Sequence, residues 1–222
     1  MLKKNIFIHS NYNFQDLAEA WQQKAATKNF ELEFNSNQPD LAVIALDLKK
    51  LFPEFFYELL PMPCAQIKLR CDEILETIYK LAGNFQEKGI PTLIQNFYYP
   101  FNLETSIFDF QNSAGQIMWI DDLNKKLVEY VDEQSGLYIF NLQYYLFQFG
   151  AQNAECCPFS AEFNNYLAEQ YLNFMQAMFY PKKKCLVVDL DNTLWGGIIA
   201  EDGLEGIQVE PYLEIQRAVK KY

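Results

Sequence analysis

Five short apolar runs constrain the fold of this chain more than any other feature. Each is rich in β-branched or aromatic residues and nearly continuous in hydrophobicity, which is typical of strands covered on both faces. The predicted strands are 5–10, 41–48, 91–97, 136–142 and 185–190. Between them, apolar residues spaced three or four apart predict helices at 14–26, 66–87, 116–132 and 160–179. This alternation predicts a three-layer α/β fold, with a parallel sheet flanked by helices.

A charged, proline-containing stretch, "PKKK" at 181–184, marks the predicted domain boundary. It follows the helix at 160–179, for which Ser160 is the predicted N-cap. We therefore expect three parts along the chain. They are a first domain at 1–155, a connecting helix and linker at 156–184, and the start of a second domain, incomplete, at 185–222.

The composition of the 222-residue chain predicts a packed core and argues against two classes of partner. Half of the residues are apolar, 16% are aromatic, and the formal net charge is −11, which opposes binding to nucleic-acid phosphates. No stretch reaches the roughly 18 to 20 apolar residues of a membrane span, and the N-terminus lacks the features of a signal peptide. The five cysteines form no C-x-x-C pair. We therefore predict a reduced, cytoplasmic protein with neither a nucleic-acid nor a membrane partner.

Two carboxylates at the end of the last apolar run are the strongest chemical signal. Asp189 and Asp191 are two positions apart, so in an extended strand both point to the same side, beyond its carboxyl end. Two such carboxylates are favourable when a cation lies between them, and Mg²⁺ prefers oxygen ligands of this kind. The pattern predicts Asp189 as nucleophile and metal ligand, and Asp191 as metal ligand and general acid/base. Asn192 and Thr193 can hydrogen-bond the backbone of the turn that follows.

The same residues resemble a known family. "DLDNT" resembles the D-x-D-x-T signature of the haloacid dehalogenase (HAD) superfamily, and "KCLVVDLDNTLWGGIIAEDGLEGIQV" is similar to its FkbH-like branch, of the HAD-IIIC type. The segments "IFIHSNYNFQDLAEAW", "PDLAVIALDL", "PTLIQNFYYP", "IDDLN" and "CPFSAEF" look like the SGNH-hydrolase-like domain that precedes the HAD domain in that branch. The resemblance implies an SGNH- or flavodoxin-like domain followed by the first strand and helix of a HAD-like Rossmannoid domain.

The resemblance implies that the protein functions as a phosphatase or phosphotransferase. Asp189 would accept the phosphoryl group, Asp191 would act as acid/base with its backbone carbonyl on Mg²⁺, and Thr193 would support the loop. FkbH-like proteins are associated with transfer of a glyceryl unit from a phosphorylated three-carbon donor to an acyl carrier protein. The HAD site also needs a Ser or Thr, a Lys and a further acid from later strands. We therefore expect this chain to be the N-terminal part of a longer protein, and inactive by itself.

The SGNH-like resemblance also implies a second hypothesis, a serine esterase in which Ser10, after the first strand, is the nucleophile. The only histidine, His9, is the neighbouring residue, and adjacent strand residues point to opposite faces. The alternative for Ser10 is a turn or helix cap. Asn96 and Asn124 are either polar site residues or structural hydrogen-bonding groups, and Asp47 either lines a cleft or caps the next helix.

Three functions follow from these observations. The first is a HAD-type phosphotransferase whose nucleophile strand lies in this chain. The second is a non-catalytic SGNH-like module that binds a carrier protein or a partner domain. The third is an esterase that uses Ser10. The first two are compatible with each other, and we favour them together.

Overall fold

The computed structural model describes residues 1–57, 62–99, 109, 115–150, 159–180 and 185–220. The chain divides into two compact units, Met1–Met175 (unit 1) and Gln176–Tyr222 (unit 2), and the boundary falls within a long helix. The linker at 181–184 and the pair Cys156 and Cys157 lie outside the described residues.

Unit 1 alternates strands with helices in the order β1, α1, β2, β3, α2, α3, α4, β4, α5, β5, α6, α7. The strands are β1 (Leu2–Ser10), β2 (Phe30–Phe34), β3 (Leu41–Ala45), β4 (Thr92–Gln95) and β5 (Leu137–Phe140). The helices are α1 (Gln15–Thr27), α2 (Leu48–Leu51), α3 (Glu54–Tyr57), α4 (Cys64–Gln86), α5 (Gln116–Asp132), α6 (Leu142–Phe149) and α7 (Ala161–Phe179). The Ser160 hydroxyl accepts the Phe163 amide at 3.1 Å, so the predicted cap of α7 is present.

The five strands form one parallel sheet in the order β2-β1-β3-β4-β5, which confirms the predicted α/β class. Strand β2 was not predicted. Its sequence "FELEF" alternates between buried apolar and exposed acidic residues, as expected for an edge strand with one covered face. A search for continuous apolar runs passes over such a strand.

Strand β1 pairs with a different neighbour along each half of its length. Residues Leu2 to Ile6 pair with β2, and residues Ile6 to Ser10 pair with β3. Because β2 ends at the level of Ile6, where β3 begins, residues 35–40 only need to cross over β1. No helix is needed in this connection, unlike the usual link between parallel strands.

Helices α4 and α5 cover one face of the sheet with an apolar core. The α4 residues in this core recur three or four positions apart, which explains why the helix was predictable. They pack with the sheet residues Ile44, Ile94 and Leu137, and with three residues of α5. The buried α5 residues are Ile120, Leu123 and Leu127.

The core on the other face, between α1 and α7, is built from stacked aromatic rings. The Tyr171 ring lies 3.9 Å from Phe140 of β5 and 4.8 Å from Trp21 of α1, measured between ring centroids. All three side chains are almost completely buried. The Met and aromatic residues that stripe α7 in the sequence therefore serve packing, as expected.

Unit 2 differs from prediction at 185–190. These residues form no strand within the part of the chain that the structure describes, and Leu186, Val187 and Leu190 are 50%, 89% and 50% exposed. A β-strand requires a hydrogen-bonded neighbour, and the described residues of unit 2 place none beside this run. The predicted helix that follows is present as α9 (Leu213–Lys220), after the short helix α8 (Ile199–Asp202).

Three cysteines, Cys64, Cys71 and Cys185, lie in the described part of the chain. Cys64 and Cys185 are exposed, whereas Cys71 lies on the buried face of α4. Burial raises the pKa of the Cys71 thiol to about 12, so this thiol stays protonated near neutral pH and acts as a small apolar group. None of the described helices is long and apolar enough to cross a membrane.

The packing of α5 generates a first prediction. Replacing the fully buried Leu127 with Ala should lower the free energy of unfolding by about 2 to 5 kcal/mol, because it leaves a cavity against the sheet. The matched control is the next residue, Val128, which is 53% exposed, so Val128→Ala should change stability by less than about 0.5 kcal/mol. Urea unfolding followed by circular dichroism measures both, and equal effects would contradict the assigned helix face.

Candidate functional site

Polar residues follow the strands of unit 1 at the carboxyl edge of the sheet, where α/β folds usually bind ligands. Ser10 ends β1 and Asn11 follows it, Asp47 follows β3, Asn96 follows β4 and Asn141 follows β5. This edge therefore holds the three residues expected from the SGNH-like resemblance, Ser10, Asp47 and Asn96. The hydrogen bonds of these residues indicate whether each side chain serves structure or could contact a ligand.

Asn11 and Asp47, which follow β1 and β3, are joined by two reciprocal hydrogen bonds. Asn11 Nδ2 donates to the Asp47 carbonyl at 3.0 Å, and the Asp47 amide donates to Asn11 Oδ1 at 2.7 Å. The Asp47 carboxylate accepts the Lys49 amide at 3.0 Å and so caps α2. Asp47 is buried and engaged in structure, which agrees with its second sequence interpretation, a helix cap.

Asn96 and Asn124 hold the chain that leaves β4. Asn96 Nδ2 donates to Asn141 Oδ1 at 3.0 Å, and its Oδ1 accepts the Gln143 amide at 3.3 Å. Asn124 of α5 accepts the Phe97 amide and donates to the Phe97 carbonyl, both at 2.8 Å. Both side chains satisfy buried or half-buried backbone and amide groups, which is the structural role considered for them above.

A buried polar triad fills the space between β1 and β4. The hydroxyls of Tyr12 and Tyr171 both donate to Gln95 Oε1, at 3.1 and 3.3 Å. Burial raises the pKa of each phenol well above its usual value, so both stay neutral donors. All three side chains are buried, and sequence analysis did not single out any of them as a site residue.

Ser10 and His9 lie on opposite faces of β1. The Ser10 hydroxyl accepts the Tyr12 amide at 3.2 Å and donates to the Tyr12 carbonyl at 3.0 Å, which closes a local turn. Ser10 lines a cavity with residues of α1, whereas His9 lines a separate cavity beside α4. The geometry therefore gives Ser10 no histidine base within the described residues.

In unit 2 the Asp191 side chain is held at a tight turn. Its Oδ1 accepts the Trp195 indole N–H at 3.0 Å and the Ile199 amide at 3.4 Å. Within the described residues no hydrogen bond reaches its second oxygen, Oδ2. Trp195 therefore positions this carboxylate, and the sequence signal for it was present in the motif "LWGG", although its role was not predicted.

Asp189 is exposed, and one carboxylate oxygen accepts the Leu190 amide at 2.8 Å. Asn192 takes a left-handed conformation, with φ of 55°, and its Oδ1 accepts the Gly197 amide at 3.0 Å. The amide of Thr193 donates to the Leu190 carbonyl at 3.2 Å. The turn after the two aspartates is thus closed from both sides, by Asn192 through its side chain and by Thr193 through its backbone.

Two glycines let the segment pack around Asp202. The carboxylate of Asp202 accepts the Ile198 amide at 2.8 Å. A Cβ on Gly206 would lie 2.6 Å from Asp202 Cβ, and one on Gly197, whose φ is 102°, would lie 3.2 Å from Asp202 Oδ2. Neither position accommodates a side chain without a shift. The spacing "WGG" to "EDGLEG" therefore builds a compact turn around a structural aspartate.

The side chains of Asp189 and Asp191 have the donor chemistry that a magnesium site requires. Carboxylate oxygens are the ligands that Mg²⁺ prefers, and Mg²⁺ commonly uses one or two carboxylates together with water and phosphate oxygens. Among the described residues no group of three or more His, Cys, Asp and Glu side chains is arranged to hold a metal ion. The donor chemistry at 189–191 suits the ion, and these two residues are the ones that would bind it.

Comparison with known proteins agrees with the fold. No family model matches the chain, and no curated protein matches it by sequence. The chain is similar to the structure of the N-terminal part of the protein BF1531 from Bacteroides fragilis, which contains a phosphatase domain complexed with Mg. The TM-score is 0.69 at 20% identity, and the match covers 100% of this chain but 66% of that structure. An acetyl xylan esterase, AlAXEase, matches 77% of the chain and 98% of its own length, with a TM-score of 0.48 and 10% identity. The similarity to BF1531 shows that the chain has the α/β fold of that N-terminal part.

Proposed function

We propose that this chain is part of a Mg²⁺-dependent phosphatase or phosphotransferase of the HAD type, with its chemistry in unit 2. The observation that carries the proposal is the Asp189–Asp191 pair at a closed turn, with Asp191 oriented by the indole of Trp195. The whole-chain similarity to a structure that contains a phosphatase domain with bound Mg supports it. In this proposal unit 1 is a framework or binding module.

The proposed reaction has two steps. First, a carboxylate oxygen of Asp189 forms a bond to phosphorus, the bond from phosphorus to the leaving oxygen breaks, and that oxygen takes a proton from Asp191. Second, Asp191 removes a proton from water or an acceptor hydroxyl, and the acceptor oxygen displaces Asp189 from phosphorus. The hydrogen bond from Trp195 keeps the Asp191 carboxylate aimed during both proton transfers.

Mg²⁺ would be held by Asp189 and Asp191 and, when bound, would offset the repulsion between the Asp189 carboxylate and an anionic phosphate. Asp189 is exposed, so its second oxygen is accessible to a phosphate group. Asn192 would keep the turn closed through its bond to the Gly197 amide. Thr193 would support the same loop.

The finer features of the proposal come from the FkbH-like resemblance. They are a phosphorylated small-carbon donor, an acyl carrier protein as acceptor of a glyceryl unit, and a cytoplasmic location. Direct titration of this chain with a purified acyl carrier protein, followed by calorimetry, tests the partner. A dissociation constant of about 1 mM corresponds to a binding free energy of about 4 kcal/mol. Absence of binding at carrier concentrations up to about 1 mM would therefore contradict the proposal that the carrier protein is a partner.

The metal site gives a second prediction. Adding Mg²⁺ to the chain should change tryptophan emission in a saturable way, because the ion binds beside the Asp191 carboxylate that accepts the Trp195 indole N–H. Asp189→Asn and Asp191→Asn should each weaken this response by about tenfold or more, since each removes an anionic ligand. Trp195→Phe should remove the signal and so identify the responding ring.

The matched control for the metal experiment is Glu201→Gln, which removes one negative charge from the exposed surface of the same unit. This variant should bind Mg²⁺ like the unaltered chain. A response that persists in both aspartate variants would show that the ion binds elsewhere and would overturn the proposed site. Wherever Mg²⁺-dependent phosphate release is measured, Asp189→Asn should also lower its rate by at least about 10³-fold.

A non-catalytic unit 1 gives a third prediction. The polar groups of Asn11, Asp47 and Gln95 are engaged in hydrogen bonds within unit 1, and Ser10 has no histidine base within the described residues. Hydrolysis of p-nitrophenyl acetate by the chain should therefore equal that of Ser10→Ala and stay at the level of buffer. Turnover that Ser10→Ala abolishes would restore the esterase hypothesis and contradict the structural role of Ser10.

A further inference from the structure

The second half of β1 has an open edge on the side of β2. In the first half, the alternate residues Leu2, Lys4 and Ile6 direct their backbone groups toward β2, as the bonds of the Leu2 amide to Asn29 and of the Ile6 carbonyl to Asn35 show. Strand β2 ends at the level of Ile6. By the same alternation, the carbonyl of Ile8 and the amide of Ser10 point to the side where β2 no longer runs.

Only a side chain replaces β2 along this stretch. Asn35 has a left-handed conformation, with φ of 60°, and its Oδ1 accepts the Ile8 amide at 3.4 Å. Within the described residues, no hydrogen bond reaches the Ile8 carbonyl or the Ser10 amide. One acceptor and one donor, spaced as in a sheet, are therefore available to another backbone.

A cavity flanks this edge on each face of the sheet. On the α1 side, a cavity of about 450 Å³ is lined by Ile8, Phe14 and Phe34 together with Glu19 and other residues of α1. On the α4 side, a cavity of about 320 Å³ is lined by Phe7 and Phe85, by His9 and Lys88, and by Asn37 and Asn84.

The charges of the two cavities differ. Lys88 has no ion-pair partner within the described residues, and with His9 and the amide groups of Asn37 and Asn84 it makes the α4-side cavity suited to a carboxylate. The α1-side cavity is lined by the apolar Ile8, Phe14, Ala18 and Phe34 as well as by polar side chains, and the carboxylate of its Gln15–Glu19 pair disfavours an acid. An occupant should therefore place an acidic side chain on one face and apolar side chains on the other.

Strand β2 already has this pattern. Phe30 and Leu32 are buried beneath α1, whereas Glu31 and Glu33 point to the other face, where Glu33 pairs with Lys3 at 2.8 Å. A strand added beyond Phe34 would continue the pattern along β1. Its central acidic residue would lie opposite His9, with its backbone N–H on the Ile8 carbonyl and its backbone carbonyl on the Ser10 amide.

We propose that the open edge of β1 at Ile8–Ser10 is a docking site for an extended segment of a partner protein with the pattern apolar-acidic-apolar. The segment adds to the sheet parallel to β1, in line with β2. Its backbone pairs with Ile8 and Ser10, its acidic side chain enters the cavity with Lys88, and its apolar side chains enter the cavity beneath α1. This site is independent of the aspartate pair in unit 2.

The probe is a fluorescein-labelled pentapeptide, Thr-Leu-Glu-Leu-Thr, and the readout is fluorescence anisotropy with the whole chain. Lys88→Glu should weaken binding by at least about tenfold, because it reverses the charge that faces the glutamate. The matched control is Lys80→Glu, an equal charge change at an exposed position of α4 that lines neither cavity. Lys80→Glu should leave binding unchanged, and equal losses in both variants would contradict the site.

Backbone methylation separates strand addition from binding of the side chain alone. N-methylation of the central glutamate removes the donor for the Ile8 carbonyl and should weaken binding by about tenfold or more. N-methylation of the following leucine, whose N–H points away from β1, should be tolerated. If both methylated peptides bind equally, the segment does not add to the sheet.

Two other occupants are outcomes that overturn the proposal. If acetate or inorganic phosphate displaces the peptide with an affinity like its own, the cavity beside His9 is a small-anion site only. If the chain alone forms a dimer in sedimentation that Lys88→Glu dissociates, and the peptide does not bind, the occupant is a second copy. Binding that depends on Lys88 and on the glutamate N–H, in a monomeric chain, supports the proposal.

Discussion

The pairing of β1 with two different neighbours is the constraint on which the rest of unit 1 depends. Because Ile6 lies opposite both Phe34 and Leu41, β2 and β3 occupy successive levels along one nine-residue strand. The chain can therefore cross over β1 without a helix. A second consequence is that, among the described residues, the last residues of β1 have a neighbouring strand on one side only.

The polar groups at the carboxyl edge of the sheet satisfy one another. Asn11 pairs with Asp47, Asn96 pairs with Asn141, and two tyrosine hydroxyls share Gln95. An unpaired polar group in such a buried place would cost about 1 to 3 kcal/mol, so each pair removes a penalty. Unit 1 is thus stabilised at the edge where α/β folds usually bind ligands, and the chemistry proposed for this protein lies in the aspartate turn of unit 2.

The sequence predicted those features that depend on local pattern. Helix α4 was expected at 66–87 and extends over Cys64–Gln86, because its apolar residues fall on one face at helical spacing. Strand β2 was missed, and a strand was wrongly predicted at 185–190, for the same reason. The hydrophobicity of a segment indicates whether it tends to be buried, but it does not indicate which neighbouring strand supplies its hydrogen bonds. Asp189 and Asp191 were recognisable by their spacing. The partners of Asp191, Trp195 and the Ile199 amide, depend on how the turn folds back, and so only coordinates reveal them.

The arrangement of β1 also bears on the order in which the sheet assembles. The first 45 residues contain three adjacent strands and one helix, joined by connections that leave only short loops to close. Loop closure costs little entropy at such separations, so this segment can collapse into a three-stranded nucleus while later parts of the chain are still being synthesised. Strands β4 and β5 then extend the sheet in one direction, away from β2. The crossing at 35–40 therefore establishes the order β2-β1-β3 early in the sequence.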